Sequence, residues 1–247
     1  MNLQPDPQRV ILGMLTPSSN TVLEPLTARM LASVPDVSAH FGRFRVTEIS
    51  LSEQARGQFE LEPQLAAAAL LADAKCNAIC WNGTSASWLG FDRDRDMCAA
   101  ITARTGIRAC SSVLAIDEIF RKTGVKRFAL VSPYIAEIQD SIIANFLREG
   151  FECVADERQN IKVNFDFANV PSSEIERMIR AVARAKPDAI VVMCTNLGAA
   201  PLVDALEREL GLPIYDSIAT ALWASLRSAG VAPARIQQWG RLFREIG

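Results

Sequence analysis

The feature that most constrains the fold of this chain is a regular alternation of short, β-branched apolar runs with longer helical patterns. This order is typical of parallel sheets with crossover helices. The predicted strands are Val10–Leu15, Val37–Ile49, Ala78–Trp81, Ile107–Cys110, Phe128–Val131, Phe151–Val154, Ala189–Met193 and Pro213–Tyr215. The predicted helices are Glu24–Leu31, Glu62–Ala74, Asp92–Arg104, Val113–Thr123, Ile135–Glu149, Ser173–Ala185, Pro201–Leu210 and Ala219–Ala229. We therefore predict an α/β fold with mostly parallel sheets flanked by helices.

Two pairs of strand-end loops resemble each other, which indicates an internal repeat. One strand ends near Pro17, and another, in the middle of the chain, ends near Pro133. A second pair of strands leads into polar loops at Gly83 and at Cys194. Similar spacings separate the two loops of each pair, so we predict two halves related by a pseudo-twofold axis. Because ligands of open α/β sheets bind beyond the carboxyl ends of the strands, the four loops should line one cleft.

The repeat also predicts how the chain divides. We assign residues 1–115 and 217–247 to an N-terminal half, to which the C-terminal helix returns. Residues 116–216 form the C-terminal half. The active site is expected in the cleft between the halves. A chain of 247 residues is long enough to bury a core in either arrangement.

The charge balance argues against several classes of partner. The net charge is −2, and no basic patch suggests binding to nucleic acid. No apolar run is long enough to span a bilayer, and a near-neutral balance offers no attraction to a membrane surface. The N-terminal sequence MNLQPDPQRV lacks the pattern of a signal peptide, so we expect a cytoplasmic protein.

The sequence offers no recognisable cofactor site. The six cysteines fit no zinc-binding spacing, and the single histidine, His40, lies in a run that alternates like a strand. Neither a P-loop nor a G-x-G-x-x-G turn occurs. We therefore predict that the protein works without a metal or an organic cofactor.

The residue that stands out for chemistry is Cys194, because an apolar strand delivers its thiol to the carboxyl end of a sheet. Small and polar residues follow, and then a helix. Backbone N–H groups at such a turn favour negative charge, and such a site can lower the pKa of a thiol and make it a proton donor or a nucleophile. The facing loop, residues 83–87, offers hydroxyls and amides but no thiol.

Two segments carry a resemblance to a known superfamily that covers nearly the whole chain. They are TPSSNT at residues 16–21, followed by Glu24 and Pro25, and CTNL at residues 194–197. Both are similar to motifs of maleate cis-trans isomerases. The chain thus resembles the aspartate/glutamate racemase superfamily, and within it the branch of arylmalonate decarboxylases and maleate cis-trans isomerases. The resemblance implies two similar α/β halves and a small mono- or dicarboxylate substrate.

The chain departs from this superfamily at one decisive position. The resemblance implies two cysteines, one per half, on opposite sides of the substrate. Here Gly83 replaces the first, and the loop reads GTSAS. A Gly-Thr-Ser loop with one cysteine in the other half is the arylmalonate decarboxylase arrangement, which Trp88 and Gly90 also fit. Cys80 lies inside the preceding strand and does not replace the missing thiol.

The resemblance also implies roles for the surrounding residues. Thr84, Ser85 and Tyr134 would hold one carboxylate and the enediolate formed from it. The backbone amides of Cys194 and Thr195 would add to this oxyanion hole. The other predicted carboxylate-binding residues are Pro17, Asn20, Gly83 and Asn164. Asn20 has a second interpretation, as a cap of the helix that follows it.

Three functions remain open from the sequence. The first is stereospecific decarboxylation of a disubstituted malonate, a carbon–carbon lyase reaction in which Cys194 protonates the carbanion. The second is isomerisation or racemisation of a small dicarboxylate, which needs a second base or nucleophile opposite Cys194. The third is binding of small carboxylates without catalysis. The glycine at position 83 favours the first, because one thiol protonates only one face of a carbon atom.

Overall fold

The computed structural model describes residues 9–53 and 57–247. It contains two four-stranded sheets in which neighbouring strands run parallel. The first sheet consists of β1 (Val10–Pro17), β2 (Val37–Phe44), β3 (Ala78–Trp81) and β4 (Ala109–Ser111). The second consists of β5 (Arg127–Ser132), β6 (Glu152–Arg158), β7 (Ala189–Val192) and β8 (Ile214–Asp216). The order β2-β1-β3-β4 recurs as β6-β5-β7-β8, which confirms the predicted repeat of two α/β halves.

Helices connect the strands and cover the sheets. In the first part of the chain they are α1 (Leu23–Leu31), α2 (Leu61–Asp73), α3 (Ala86–Leu89), α4 (Phe91–Thr105) and α5 (Ser112–Thr123). Further along they are α6 (Ala136–Arg148), α7 (Ser172–Ala183), α8 (Ala200–Leu210), α9 (Ser217–Ser228) and α10 (Arg241–Glu245). Short 3-10 helices occupy Asn164–Asn169 and Pro233–Arg235.

The predicted strand Val37–Ile49 is too long. The ladder ends at Phe44, which pairs with Pro17, the last residue of β1. Beyond that point Val46 and Ile49 stay buried although they belong to neither sheet. Both line a cavity beyond the strand ends. The apolar pattern therefore continues past the last residue of β2.

Helix α3 escaped the sequence prediction. Its four residues directly follow the polar loop at 83–85 and are too few to show a helical period. Helix α10, near the C-terminus, is similarly short. The long helices and the strand centres lie where the alternation predicted them, because their apolar faces repeat over several turns or pleats.

The last long helix joins the two halves. Helix α9 begins directly after β8 of the second sheet and packs on α5 and against β3 and β4 of the first. The division of the chain at residues 115/116 and 216/217 stays a prediction. Within the described ranges, no helix is long and apolar enough to cross a membrane.

Candidate active site

The carboxyl ends of β1, β3, β5 and β7 surround a small cavity of about 20 Å³, roughly the room of one water molecule. Gly83 from one half and Cys194 from the other both line it, as expected for a shared cleft. The predicted site residues in its wall are Pro17, Gly83, Thr84, Ser85, Tyr134, Asn164, Cys194 and Thr195. The rest of the wall is formed by Val46, Ile49, Phe59, Trp81 and Trp88.

Cys194 lies two residues beyond the end of β7 and is 2% exposed. Its Sγ accepts a hydrogen bond from the backbone N–H of Asn196 at 3.3 Å. Burial raises the pKa of the thiol to about 12, although this N–H and the Tyr134 hydroxyl partly oppose the shift. The sequence-based expectation of a lowered pKa is therefore wrong. Desolvation outweighs the turn amides, so the thiol is protonated at neutral pH and suited to donate a proton.

Tyr134 stands beside this thiol as a second protonated donor. Its hydroxyl lies 2.7 Å from the Thr84 Oγ1, and the ring packs edge-on against Trp88 and Phe167. Burial raises the pKa of the phenol well above its usual value, and the nearby Cys194 sulfur raises it further. The structure thus brings together the predicted donors Thr84 and Tyr134, which come from different halves.

Asn20 does not line the cavity, and both the oxygen and the nitrogen of its side-chain amide make hydrogen bonds. Its Oδ1 accepts hydrogen bonds from the backbone N–H groups of Val22 and Leu23 at 3.0 and 2.9 Å, so it caps the start of α1. Its Nδ2 donates to the Thr195 Oγ1 at 3.1 Å. The capping interpretation therefore describes this structure, and direct carboxylate binding by Asn20 stays a prediction.

Asn196 follows the cavity-lining Thr195 and links segments of the two halves by hydrogen bonds. Its Oδ1 accepts from the backbone N–H of Thr21 at 3.0 Å, and its Nδ2 donates to the Asn164 carbonyl at 2.6 Å. Asn164 in turn donates through Nδ2 to the Ser19 Oγ at 2.7 Å. These buried and partly buried bonds set the positions of the residues that follow Cys194 and of the loop after β1.

Trp81 is the residue that sequence reasoning missed. Its indole is 1% exposed, packs on Phe44 with ring centroids 5.0 Å apart, and lies directly over Gly83. A Cβ at position 83 would stand 1.9 Å from the Trp81 Cζ2. The sequence signal that could have identified Trp81 is a large aromatic residue at the end of a strand, two positions before a glycine.

The two α/β halves have the Asp/Glu racemase-like fold, and the cavity between them is lined by a buried thiol and by hydroxyl groups. Comparison with known proteins agrees. The sequence profile of the arylmalonate decarboxylase family matches residues 22–243. The chain therefore belongs to the arylmalonate decarboxylase family, whose branch includes enzymes named maleate isomerase.

Relatives with both names are similar to this chain. The maleate isomerase of Nocardia farcinica is 27% identical over 95% of each sequence, and the arylmalonate decarboxylase of Bordetella bronchiseptica is 26% identical over 95% and 96%. Solved structures confirm the fold. A Cys-to-Ser mutant of the Nocardia isomerase with a covalently bound succinylcysteine intermediate has a TM-score of 0.87 at 23% identity, covering 96% of this chain and 99% of its own. A liganded Gly-to-Cys, Cys-to-Ser mutant of arylmalonate decarboxylase has 0.84 at 20%, with the same coverage.

Proposed function

We propose that this protein is a cofactor-independent decarboxylase of a disubstituted malonate, with Cys194 as the acid that protonates the product carbon. One observation carries the proposal: Cys194 is the only thiol in the described cavity wall, and the Trp81 indole fills the space that a side chain at position 83 would need. A reaction that needs one acid on one face fits this wall. A reaction that needs a second thiol does not.

The proposed reaction begins with binding of one substrate carboxylate. Thr84, Ser85 and Tyr134 offer hydroxyls in the cavity wall, and Thr84 and Tyr134 are already within hydrogen-bonding distance of each other. When the bond to the other carboxylate breaks, its electron pair moves into the retained carboxyl group and forms an enediolate, and CO2 leaves. Preorganised donors stabilise that charge by about 3 kcal/mol each.

The proton then comes from Cys194. Its S–H bond breaks, the proton joins the carbon atom, and the thiolate is reprotonated from water. The aliphatic and phenyl side chains of Val46, Ile49 and Phe59 offer no hydrogen-bond donor to the departing carboxylate, which favours its loss as neutral CO2. All the groups that act in this reaction belong to the protein chain. No electrons are gained or lost overall, so the reaction needs no oxidant or reductant.

Isomerisation of maleate is the second candidate, because relatives named maleate isomerase match most of the chain. The Nocardia structure holds a succinylcysteine intermediate in a Cys-to-Ser mutant of that enzyme. In this chain an equivalent reaction would have to use Cys194 itself as nucleophile. The raised pKa of that thiol disfavours this, since the thiolate is the nucleophilic form.

The decisive experiment is incubation of the purified protein with phenylmalonate and, separately, with maleate, followed by proton NMR. We expect phenylacetate from the first and unchanged maleate in the second. Fumarate from maleate, with phenylmalonate left intact, would establish the isomerase instead. If both compounds persist but bind, the protein is a carboxylate-binding protein without this catalysis.

The hydroxyl donors are tested by Thr84→Ala and Tyr134→Phe. We expect each variant to lower kcat for phenylmalonate by about 10²- to 10³-fold, because each removes one donor to the developing enediolate. Tyr215→Phe is the matched control, since Tyr215 is equally buried but does not line the cavity. Unchanged kcat in both site variants would place the substrate elsewhere.

The pH profile tests the protonation state of Cys194. Burial raises its pKa to about 12, so the acid form persists in the free enzyme far above neutral pH. We expect kcat/KM for phenylmalonate to show no descending limb between about pH 7 and pH 10. An ordinary thiol would lose its proton near pH 8.5. A descending limb in that region, absent from Cys194→Ser, would contradict the raised pKa.

A further inference from the structure

The indole of Trp81 takes the place that a side chain at position 83 would need. Atoms Cζ2, Cε2 and Cη2 lie 1.9, 2.4 and 2.4 Å from an ideal Cβ on Gly83. Real Cβ atoms do not approach other atoms so closely, and the obstacle is the rigid body of a fused ring. Trp81 also packs on Phe44, with ring centroids 5.0 Å apart, and this contact limits movement of the indole.

The polar edge of the same ring lacks a partner. Trp81 Nε1 is buried and makes no hydrogen bond within residues 9–53 and 57–247. It is bonded to Cε2, one of the atoms nearest the missing Cβ, so the N–H lies at the Gly83 side of the cavity. A buried donor without an acceptor destabilises the protein, because it has lost its hydrogen bond to water. Such a cost is offset when a ligand supplies the acceptor.

We propose that Trp81 is a specificity-determining residue of this site: its indole closes the Gly83 side, and its Nε1–H donates a hydrogen bond to a carboxylate oxygen of the substrate. The ligand class is a dicarboxylate that presents one carboxylate oxygen to the Gly83 side of the cavity. Bulky groups are excluded from that side by the ring.

The role of Trp81 rests on the proposed function only because that function supplies the substrate, phenylmalonate, used in the test. The hydrogen bond is made in the bound substrate and kept in the transition state. Its loss therefore raises KM and leaves kcat almost unchanged. Thr84 and Tyr134, in contrast, are expected to act on kcat.

The test is Trp81→Phe, which keeps an aromatic ring and removes the N–H. We expect KM for phenylmalonate to rise by about 10- to 100-fold, as for loss of a hydrogen bond to a charged group, with kcat changed less than about threefold. Trp223→Phe is the matched control. Trp223 is buried too, but its Nε1 already donates to the Ile246 carbonyl at 2.6 Å. An unchanged KM in Trp81→Phe would overturn the proposal.

A binding measurement separates this proposal from the catalytic one. Calorimetry with phenylmalonate and with maleate, on Cys194→Ala and on Cys194→Ala with Trp81→Phe, needs no turnover. Weaker binding in the second variant supports the hydrogen bond even if neither compound is converted by the unmodified protein. Equal binding in both variants, or none to either compound, overturns it.

The packing half of the proposal is tested by thermal unfolding. Gly83→Ala should lower Tm in the unmodified protein, because the new methyl group meets the Trp81 ring. In a Trp81→Ala background the same change should leave Tm nearly unaffected. Equal losses in the two backgrounds would show that the ring does not occupy this space.

Discussion

Cys194→Ser is expected to lower the turnover of a malonate carrying one methyl and one phenyl group by about 10²- to 10⁴-fold. The reason is that a hydroxyl is a much weaker acid than a thiol, so the carbanion formed on CO2 loss finds no proton donor at that face. Decarboxylation is followed by NMR. Cys153→Ser is the control, because Cys153 lies on β6 and does not line the cavity.

The same substrate reports the direction of proton delivery. With Cys194 as the acid, the unmodified enzyme should give one enantiomer of the phenylpropionate product, labelled with deuterium when the reaction runs in deuterated water. A chiral column measures this directly. Racemic product, with racemisation by water excluded, would show a second acid in the site and would move the isomerase or racemase interpretation to the front.

Moving the thiol to the other side of the cavity has the second large expected effect. The triple variant Gly83→Cys, Trp81→Ala, Cys194→Ser should turn over this substrate at least about tenfold faster than Cys194→Ser does. Its product should be the opposite enantiomer, because the proton now arrives from the Gly83 side. Gly83 and Cys194 belong to corresponding strand-end loops of the two halves and both line the cavity, so we expect the new thiol to lie across the cavity from the old one.

The variant with Trp81 retained is the informative control. Gly83→Cys with Cys194→Ser should stay inactive, because the new side chain has to occupy the space of the indole. Far-ultraviolet circular dichroism and Tm check that each variant is folded, since Trp81→Ala removes a large buried side chain and costs about 3–5 kcal/mol. The same enantiomer from the triple variant as from the unmodified enzyme would contradict the assignment of faces.

The sequence by itself determined the architecture and the family of this protein. Short β-branched runs and helical patterns are local signals, so their alternation predicted parallel sheets without knowledge of any contact. The recurrence of polar loops at Gly83 and Cys194 predicted one cleft. The motifs at residues 16–21 and 194–197, together with the glycine at position 83, identified the family and the missing thiol.

Only the tertiary structure decided how these residues behave. The thiol of Cys194 keeps its proton because the surrounding core removes water, which a strand-end motif does not reveal. Asn20 reaches Thr195 across 175 positions of sequence while it caps its own helix. The Trp81 indole covers Gly83 and is held there by packing against Phe44. Burial, pKa and steric closure depend on contacts between segments distant in the chain, and a local pattern carries no information about such contacts.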